Sequence, residues 1–340
     1  MIQFLKKIIK PSELTKQEQD NNWAYYRFGK TDEKDSINYQ FTKFVLNHYA
    51  ELEKIKLLLE DEKSKEIFGQ LLIYRCLGYK YSKLFTNTQE YQEFINTVDT
   101  KPLNALVLEA NLIPIRHKFM NIYQPIGTTY KVLATNGFLI NFLFNQQYLF
   151  SRDGIDIKPA KNDILLDCGA CWGDSTIAFA DMVGENGKVF AFEFVPENLD
   201  IFSKNLELNK QINNITIVKR AVHSKSDEVV HYSSSSSSTT LNDNGAQSVK
   251  TMSIDDLVAN ESLSKVDYIK MDIEGSEYSA LIGAKETIKK FKPKLAISIY
   301  HKYDDLLELP LLIKEILPEY KLYINHHTIH AEETVLYAII

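Results

Sequence analysis

The chain has 340 residues, 39 of them basic and 45 acidic, and its formal net charge at pH 7 is -6. This charge disfavours nucleic acid and other long anionic partners and leaves small or neutral substrates open. The three cysteines, Cys76, Cys168 and Cys171, are too few for a disulfide framework and indicate a reducing compartment, the cytoplasm. No apolar run reaches the roughly 18 residues of a membrane span, and residues 1–10 lack the pattern of a signal peptide.

Residues 1–125 are predicted to be mainly helical. Apolar residues spaced by three and four from Ser36 to Leu59 predict one amphipathic helix. A second helix is predicted from Glu62 to Leu77, with Gly78 as its stop, and a third from Thr88 to Val98. Residues 1–10 predict a short helix packed on its own domain, with a short helix at a membrane interface as the alternative. Because this region carries no chemical motif, we expect it to cap an active site or to form the face of a homodimer.

The pattern changes near Gly127, so residues 126–340 are predicted to form a second region. Thr129–Ala134 and Phe138–Phe144 predict two strands of a hairpin around Asn136-Gly137. Strands and helices then alternate, which is typical of a parallel sheet covered on both faces. The serine run Ser233–Ser238 predicts a mobile linker. A loop that orders over substrate is the alternative for this run.

A glycine loop follows the apolar run that ends at Asp167. Gly169 and Gly173 give the spacing G-x-x-x-G before a helix that starts near Ser175. A dinucleotide fingerprint would read G-x-G-x-x-G and would serve a pyrophosphate, which S-adenosylmethionine lacks. The loop therefore favours S-adenosylmethionine. Cys168 and Cys171 also spell C-x-x-C, the spacing of a redox or zinc site. No second pair completes a zinc site, and both cysteines lie inside the proposed cofactor loop, so small loop-filling residues are the preferred interpretation.

A second predicted strand ends at Glu193, about 20 residues beyond the loop, where α/β folds bind the ribose hydroxyls of an adenosine cofactor. A third strand ends at Ala221 and Val222, which we expect beside the adenine. The predicted cofactor-binding residues are Asp167, Gly169, Ala170, Cys171, Gly173, Asp174, Ser175, Glu193, Phe194, Asn198, Ala221, Val222 and Asp272.

The predicted catalytic residues are His301 and Asp272, which follow neighbouring strands and should meet at one sheet edge. His301 is predicted to be the general base, because an imidazole accepts a proton near neutral pH. Asp272 would orient the acceptor or the cofactor's ammonium group. Glu277 opens the next helix, so its carboxylate either belongs to this edge or merely caps that helix.

Two further hypotheses concern this edge and the last strands. Asp272, Glu274, Glu277 and His301 could instead hold a divalent cation, which ranks below metal-free catalysis. The later histidines His326, His327 and His330 predict a pocket wall, and the strands Tyr320–Asn325 and Glu333–Ile340 are predicted to be antiparallel.

Four motifs in order carry a family resemblance: Asp167 to Asp174, Phe192 to Asn198, Lys270 to Glu277, and Ser298 to His301. Over roughly residues 127–340 the chain resembles the FkbM-type S-adenosylmethionine-dependent methyltransferases. The resemblance implies a Rossmann-like class I methyltransferase sheet of seven strands with the last reversed. It also implies O-methylation of a hydroxyl on a sugar, glycan or secondary metabolite.

Cys171-Trp172 departs from the Asn and small or aliphatic residue that are common in this family, so the methionine end of the cofactor is expected to pack differently. The alternative to an enzyme is a non-catalytic module of the same fold whose helical region binds a partner. The presence of Asp167, Glu193 and His301 in this sequence favours the enzyme.

Overall fold

The computed structural model describes residues 37–78, 81–86, 88–100, 107–115, 118–235 and 238–340. The predicted helix over residues 1–10 lies outside them. In the described residues no helix combines the length and the apolar character that crossing a membrane requires.

The helices are α1 Ile37–Asn47, α2 Tyr49–Leu58, α3 Glu62–Leu77, α4 Gln89–Thr100, α5 Asp174–Val183, α6 Pro196–Leu208, α7 Ile254–Asn260, α8 Glu277–Ile282, α9 Lys285–Phe291 and α10 Asp305–Ile316, with a π-helical segment at Phe138–Phe144. The first strands are β1 Val107–Ile115, β2 Lys118–Pro125, β3 Val132–Ala134, β4 Phe150–Arg152, β5 Ile155–Ile157, β6 Ile164–Cys168, β7 Lys188–Phe192 and β8 Ile215–Val218. The remaining strands are β9 Ala221–Val222, β10 Val229–Ser235, β11 Ser238–Leu241, β12 Gln247–Met252, β13 Tyr268–Met271, β14 Lys294–Ser298, β15 Lys321–His326 and β16 Thr334–Ile339.

The central sheet has seven strands in the order β15-β16-β14-β13-β6-β7-β8. Strand β16 runs antiparallel to both of its neighbours, and the pairs from β14 to β8 are parallel. The predicted seven-stranded sheet with a reversed last strand is confirmed. Because β16 begins where the other strands end, the residues just before it lie at the carboxyl edge of the sheet.

Both faces of this sheet are buried. Successive residues of β6 point to opposite faces: Leu165 packs in one hydrophobic cluster with Phe179 of α5, and Leu166 packs in the other with Leu306 of α10. The same alternation in the neighbouring strands explains their continuous apolar runs, since a strand covered on both sides exposes no polar face.

The helices α1 to α3 extend the main core. The predicted second helix is confirmed: α3 is capped by Asp61, which accepts a hydrogen bond from the Ser64 N–H at 2.6 Å, and stops at Gly78 with φ +82°. The predicted single helix before it is interrupted at His48 and forms α1 and α2. Phe68 is fully buried in the cluster that fills one face of the sheet. These helices therefore cover the sheet on the β15 side.

Residues 107–125 correct the prediction of a mainly helical N-terminal region. They form strands β1 and β2, which join β3 in a small antiparallel sheet. The division at residues 125 and 126 consequently falls between two strands of one sheet.

The predicted hairpin around Asn136-Gly137 is wrong. Strand β3 pairs with β2, and residues 138–144 form a π-helical segment in which the Asn145 N–H donates to the Ile140 carbonyl, five residues earlier. Its buried residues are Phe138, Leu139 and Phe142, and this spacing is helical. Aromatic and β-branched composition favoured a strand, but packing decided the conformation.

The predicted mobile linker at the serine run is also wrong. Residues before and after positions 236 and 237 form the antiparallel pair β10 and β11, in a four-stranded sheet of order β11-β10-β12-β9. Thr239 and Leu241 of β11 line the cavity at the carboxyl edge of the central sheet.

Candidate active site

A cavity opens at the carboxyl edge of the central sheet, above β6, β7 and β13. One side is formed by the glycine loop and the ends of β7 and β9, and the other by the π-helical segment and the strand ends around Asp272. The lining residues include Gly169, Lys270 and Glu193 on the first side and Gln147, Tyr148, Asp272 and Glu333 on the second.

The glycine loop is tight because both glycines meet close neighbours. Gly169 has φ +84°, and a Cβ there would lie 1.9 Å from the Asp272 carbonyl oxygen. Gly173 has φ +76°, and a Cβ would lie 2.2 Å from the Phe202 ring. Side chains at either position would push the loop away from β13 and α6. Gly169 lines the cavity, whereas Gly173 serves the packing of α5 on α6.

Asp167 does not line the cavity, which corrects the expectation that it contacts the cofactor. It is fully buried, accepts a hydrogen bond from the Thr176 hydroxyl at 2.6 Å and pairs with Lys270 Nζ at 3.0 Å. Lys270 in turn donates to the Gly169 carbonyl at 2.7 Å. Asp167 therefore fixes the loop from beneath through Lys270, a residue to which the sequence analysis gave no role.

Glu193 faces the cavity in a fixed orientation. Its Oε1 accepts hydrogen bonds from the Phe194 and Val195 N–H groups at 2.6 and 2.7 Å, and its Oε2 accepts one from Asn198 at 3.0 Å. Burial raises the pKa of Glu193, and these bonds oppose the rise. Oε2 keeps capacity for a further donor such as a ribose hydroxyl.

The other predicted cofactor residues also lie on this cavity: Ala170, Cys171, Asp174, Ser175, Phe194, Asn198, Ala221, Val222 and Asp272. The cysteines are free thiols, and burial raises the pKa of both Cys168 and Cys171, so they stay protonated. This agrees with the loop-filling interpretation of C-x-x-C.

The charge of this side suits a cofactor without phosphate. Among the described lining residues the basic ones are Arg220 and Lys270, and each pairs with an aspartate, at 3.2 and 3.0 Å. Ala221 and Val222 offer apolar contact for a base, and Glu193 offers an acceptor for the ribose. The residues present fit S-adenosylmethionine.

Asp272 lies at the centre of the opposite side. Its Oδ2 accepts a hydrogen bond from the Tyr148 hydroxyl at 2.7 Å and its Oδ1 one from the Tyr300 hydroxyl at 3.2 Å. Burial alone would raise its pKa, but the charges of His301 and Lys270 and the Tyr148 bond outweigh burial and lower it. Asp272 is therefore a stable carboxylate that orients its neighbours.

His301 does meet the acidic edge, but its environment contradicts the predicted role of general base. Its Nδ1 lies 3.0 Å from Glu277 Oε1 and its Nε2 lies 3.3 Å from Asp272 Oδ1. Burial alone would lower its pKa, but the contact and charge of Glu277, with the charges of Asp272 and Glu274, raise it to about 10. An imidazole that already carries both protons at neutral pH cannot accept another.

The contacts of His301 also bear on the hypothesis of a bound divalent cation. Asp272, Glu277 and His301 each offer an atom within 4.8 Å of the others. However, His301 directs one nitrogen to each carboxylate, and Glu277 Oε1 also accepts the Ile273 N–H at 2.8 Å. The imidazolium thus supplies the positive charge that this pair of acids requires, which favours the metal-free interpretation.

Glu333 and Gln147 were missed by the sequence analysis. Both line the cavity, and Gln147 Nε2 donates to Glu333 Oε2 at 2.6 Å and to the Tyr148 hydroxyl at 2.9 Å. Neither residue belongs to a motif, and they are 186 positions apart. The available signal was the position of Glu333 just before a reversed strand, which places it at the ligand-binding edge.

The later histidines do not form a wall of this cavity, which corrects that prediction. His326 and His327 are buried beside a separate small cleft that Lys63 and Phe85 also line. Burial lowers the pKa of His326 to about 3 and that of His327 to about 4, so both are neutral. His327 contacts the Asn145 carbonyl and the Tyr337 hydroxyl, and its role is structural.

The seven-stranded sheet with its reversed strand β16 has the class I methyltransferase fold. Residues 167–322 match the sequence model of the methyltransferase FkbM domain. This stretch of the chain is similar to that domain and contains all four motifs, so the resemblance that they carry is confirmed.

A methyltransferase FkbM from Methylobacillus flagellatus KT has a solved structure that is 21% identical to this chain, with a TM-score of 0.57. The match covers 89% of this chain and 62% of that one, so the chain spans less than two thirds of the length of that protein. The likeness shows a shared fold. No curated protein matches the chain.

Two other solved structures have lower similarity. Precorrin-6y C5,15-methyltransferase from Geobacter metallireducens GS-15 is 13% identical, with a TM-score of 0.36, over 54% of this chain and 84% of that one. Fibrillarin from Aeropyrum pernix, solved with S-adenosyl-L-methionine, is 11% identical, with a TM-score of 0.36, over 69% of this chain and 100% of that one.

Proposed function

We propose that the protein transfers the methyl group of S-adenosylmethionine to a hydroxyl of a small molecule or glycan, which makes it an O-methyltransferase of carbohydrates or related metabolites. The observation that carries the proposal is one cavity with two different sides. One side suits a cofactor that has no phosphate, and the opposite side presents carboxylates, tyrosines and amides. The three free cysteines support a reducing compartment, the cytoplasm.

Each side has a distinct task in this proposal. The loop at Gly169, held by Lys270, and the fixed carboxylate of Glu193 bind the cofactor, which when bound supplies a methyl group on a positively charged sulfur. Asp272 holds Tyr148 and Tyr300 in place, and these groups orient the acceptor hydroxyl for in-line attack. Phe142 and Trp172 contribute apolar surface to the same cavity.

Polar side chains on the acceptor side favour a hydroxyl-rich ligand. Asn141, Gln147 and Tyr300 offer amide and hydroxyl groups to the cavity, and such groups recognise sugar hydroxyls through hydrogen bonds. The acids of this edge disfavour a phosphate-rich acceptor, which agrees with the net charge of -6.

The proposal is tested in two stages with the full chain. S-adenosylhomocysteine should raise the melting temperature by mass action, and NAD should not. Glu193→Ala should lose most of the shift, whereas Glu207→Ala, at an exposed position on α6, should keep it. Stabilisation by NAD alone would contradict the cofactor.

The second stage supplies the protein and methyl-labelled S-adenosylmethionine to a cell lysate and follows label into products by mass spectrometry. We expect a product heavier by one CH₂ whose label resists the conditions that cleave methyl esters, as an ether does. Binding of S-adenosylhomocysteine without any label transfer would support the non-catalytic module, and label found on nitrogen would contradict O-methylation.

A further inference from the structure

We propose that Glu333 is the proton acceptor of the methyl transfer, and that Gln147 is the positioning residue that holds its carboxylate toward the cavity. This inference rests on the proposed O-methyltransferase function. It assigns the role that His301 cannot fill to a residue outside the four motifs and outside the FkbM-matched segment.

The place of Glu333 follows from the topology. It directly precedes β16, the antiparallel strand, and therefore stands at the edge where the parallel strands end. Its side chain lines the same cavity as Asp272 and Tyr148. A group that accepts a proton from the acceptor must reach the acceptor, and His301 does not line this cavity.

The contacts of Glu333 leave it able to accept a proton. Among the described residues the side-chain hydrogen bond of Glu333 is the one from Gln147 to Oε2, at 2.6 Å. Gln147 is itself buried, with 3% of its surface exposed, so the amide is fixed. Oε1 remains available for a ligand hydroxyl. Asp272, by contrast, already accepts from Tyr148 and Tyr300 and faces the His301 imidazolium.

The backbone on this wall is strained. Glu333 has φ +62°, Tyr148 has φ +68° and Gln146 has φ +51°, all in the left-handed region that non-glycine residues rarely adopt. Such strain concentrates at functional sites. Here it turns Gln147 and Glu333 toward one another from two distant segments.

The charges around Glu333 bring its pKa close to neutral pH, so that the carboxylate form that accepts a proton and the acid form that releases it are both populated there. Burial and the nearby charge of Asp272 raise its pKa to about 7, and Glu274 acts in the same direction. The Gln147 bond and the His301 charge oppose the rise. Tyr91 and Tyr300 also face this carboxylate and stay protonated, since burial raises the pKa of each. Two carboxylates with pKa values displaced in opposite directions are typical of divided roles.

The reaction balances with Glu333 as the acceptor of the proton. The acceptor oxygen forms a bond to the methyl carbon while the carbon–sulfur bond breaks and its electron pair goes to sulfur. The hydroxyl proton passes to the Glu333 carboxylate. One positive sulfur and one carboxylate thereby become a neutral thioether and a carboxylic acid, and the proton later returns to water.

Glu333→Gln tests this assignment, because it keeps the shape and removes the basic oxygen. We expect label transfer in the lysate assay to fall roughly 10²–10⁴-fold, with the S-adenosylhomocysteine melting shift intact. Wild-type initial rates should rise as the pH passes through about 7, and Glu333→Asp should restore part of the rate. Glu332→Gln is the matched control, since Glu332 is the adjacent buried acid and does not line the cavity.

Each outcome decides one claim. A Glu333→Gln protein that transfers label at the wild-type rate with the wild-type pH profile overturns the role of Glu333 and leaves the methyltransferase function standing. A wild type that binds S-adenosylhomocysteine and transfers no label overturns the proposed function, and the proposed base with it. Equal losses in Glu333→Gln and Glu332→Gln would show a structural effect and contradict the assignment.

Discussion

The acidic edge shows how neighbours decide the chemistry of a side chain. Asp272, Glu277 and Glu333 are all carboxylic acids at the ends of strands or the start of a helix. Glu277 is fully buried against His301, Asp272 is held ionised by positive charge, and Glu333 has its pKa raised to about 7. Residue type alone could not separate these three roles.

The pairing of His301 with Glu277 should contribute to stability. His301→Asn removes the positive charge from a carboxylate with no exposed surface, and we expect the free energy of unfolding to fall by about 3–5 kcal/mol. The folded pKa of about 10 lies above the unfolded value, so the contribution is fully present below about pH 6.5 and is lost as the pH rises through about 10.

Urea unfolding at pH 6 and pH 10 measures this effect. Adding Glu277→Gln to His301→Asn should recover part of the loss, because the buried Glu277 charge is then no longer left without its partner. His231→Gln, at an exposed position, is the control. Single and double variants with losses that simply add would argue against the pair.

At the scale of elements, the N-terminal helices belong to the core of the sheet. Leu59 forms a bridge to Leu322 of β15, and the Ser64 hydroxyl accepts the Ile324 N–H at 2.9 Å. Arg75 of α3 donates to the Ala331 carbonyl at 2.8 Å and to the Tyr300 carbonyl at 3.3 Å. Helix α3 thus contacts the loops that carry both His301 and Glu333.

Phe68→Ala should therefore destabilise the whole chain. Phe68 is fully buried in the main cluster, and its truncation should lower the free energy of unfolding by about 3–5 kcal/mol. Loss of S-adenosylhomocysteine binding and loss of circular dichroism should coincide in denaturant. Ile73→Ala, on the exposed side of α3, should change little. Two separate transitions would indicate that the helices fold independently of the sheet.

The sequence was sufficient to predict an element where the local pattern of residues agreed with the tertiary packing. The apolar runs of β6, β7, β13 and β14 and the glycine stop of α3 were predicted because strand burial and helix ends leave a direct signal in the sequence. Phe138–Phe144 failed because a strand-like composition was overruled by packing against α5. The role proposed for Glu333 was not predicted because it depends on contact with Gln147, and only the folded chain brings the two residues together.

At the scale of the whole molecule, the buried and neutral histidines His326 and His327 link stability to pH. The folded pKa of His327 is lowered to about 4, below the unfolded value of about 6.5. As the pH falls from 6.5 to 4 the unfolded chain binds the proton first, so stability falls, by on the order of 3 kcal/mol for this group.

His327→Gln should remove that part of the acid dependence. We expect the variant to be less stable than the wild type at pH 7.5, because contacts to Asn145 and Tyr337 are lost, but to lose less free energy of unfolding between pH 6.5 and pH 4. Urea titrations at the three pH values measure this, with the exposed His231→Gln as control. An acid slope in His327→Gln as steep as that of the wild type would contradict the assignment.

The acceptor side of the cavity takes several of its residues from outside the segment that supplies the cofactor side. The residues proposed for the cofactor fall between Asp167 and Asp272, within the FkbM-matched segment. Gln147, Tyr148 and Glu333 lie outside that segment, before and after it. A lineage could thus exchange the outer segments and acquire a new acceptor while its methyl donor stayed the same, and a protein engineer could follow the same route by grafting those two segments alone.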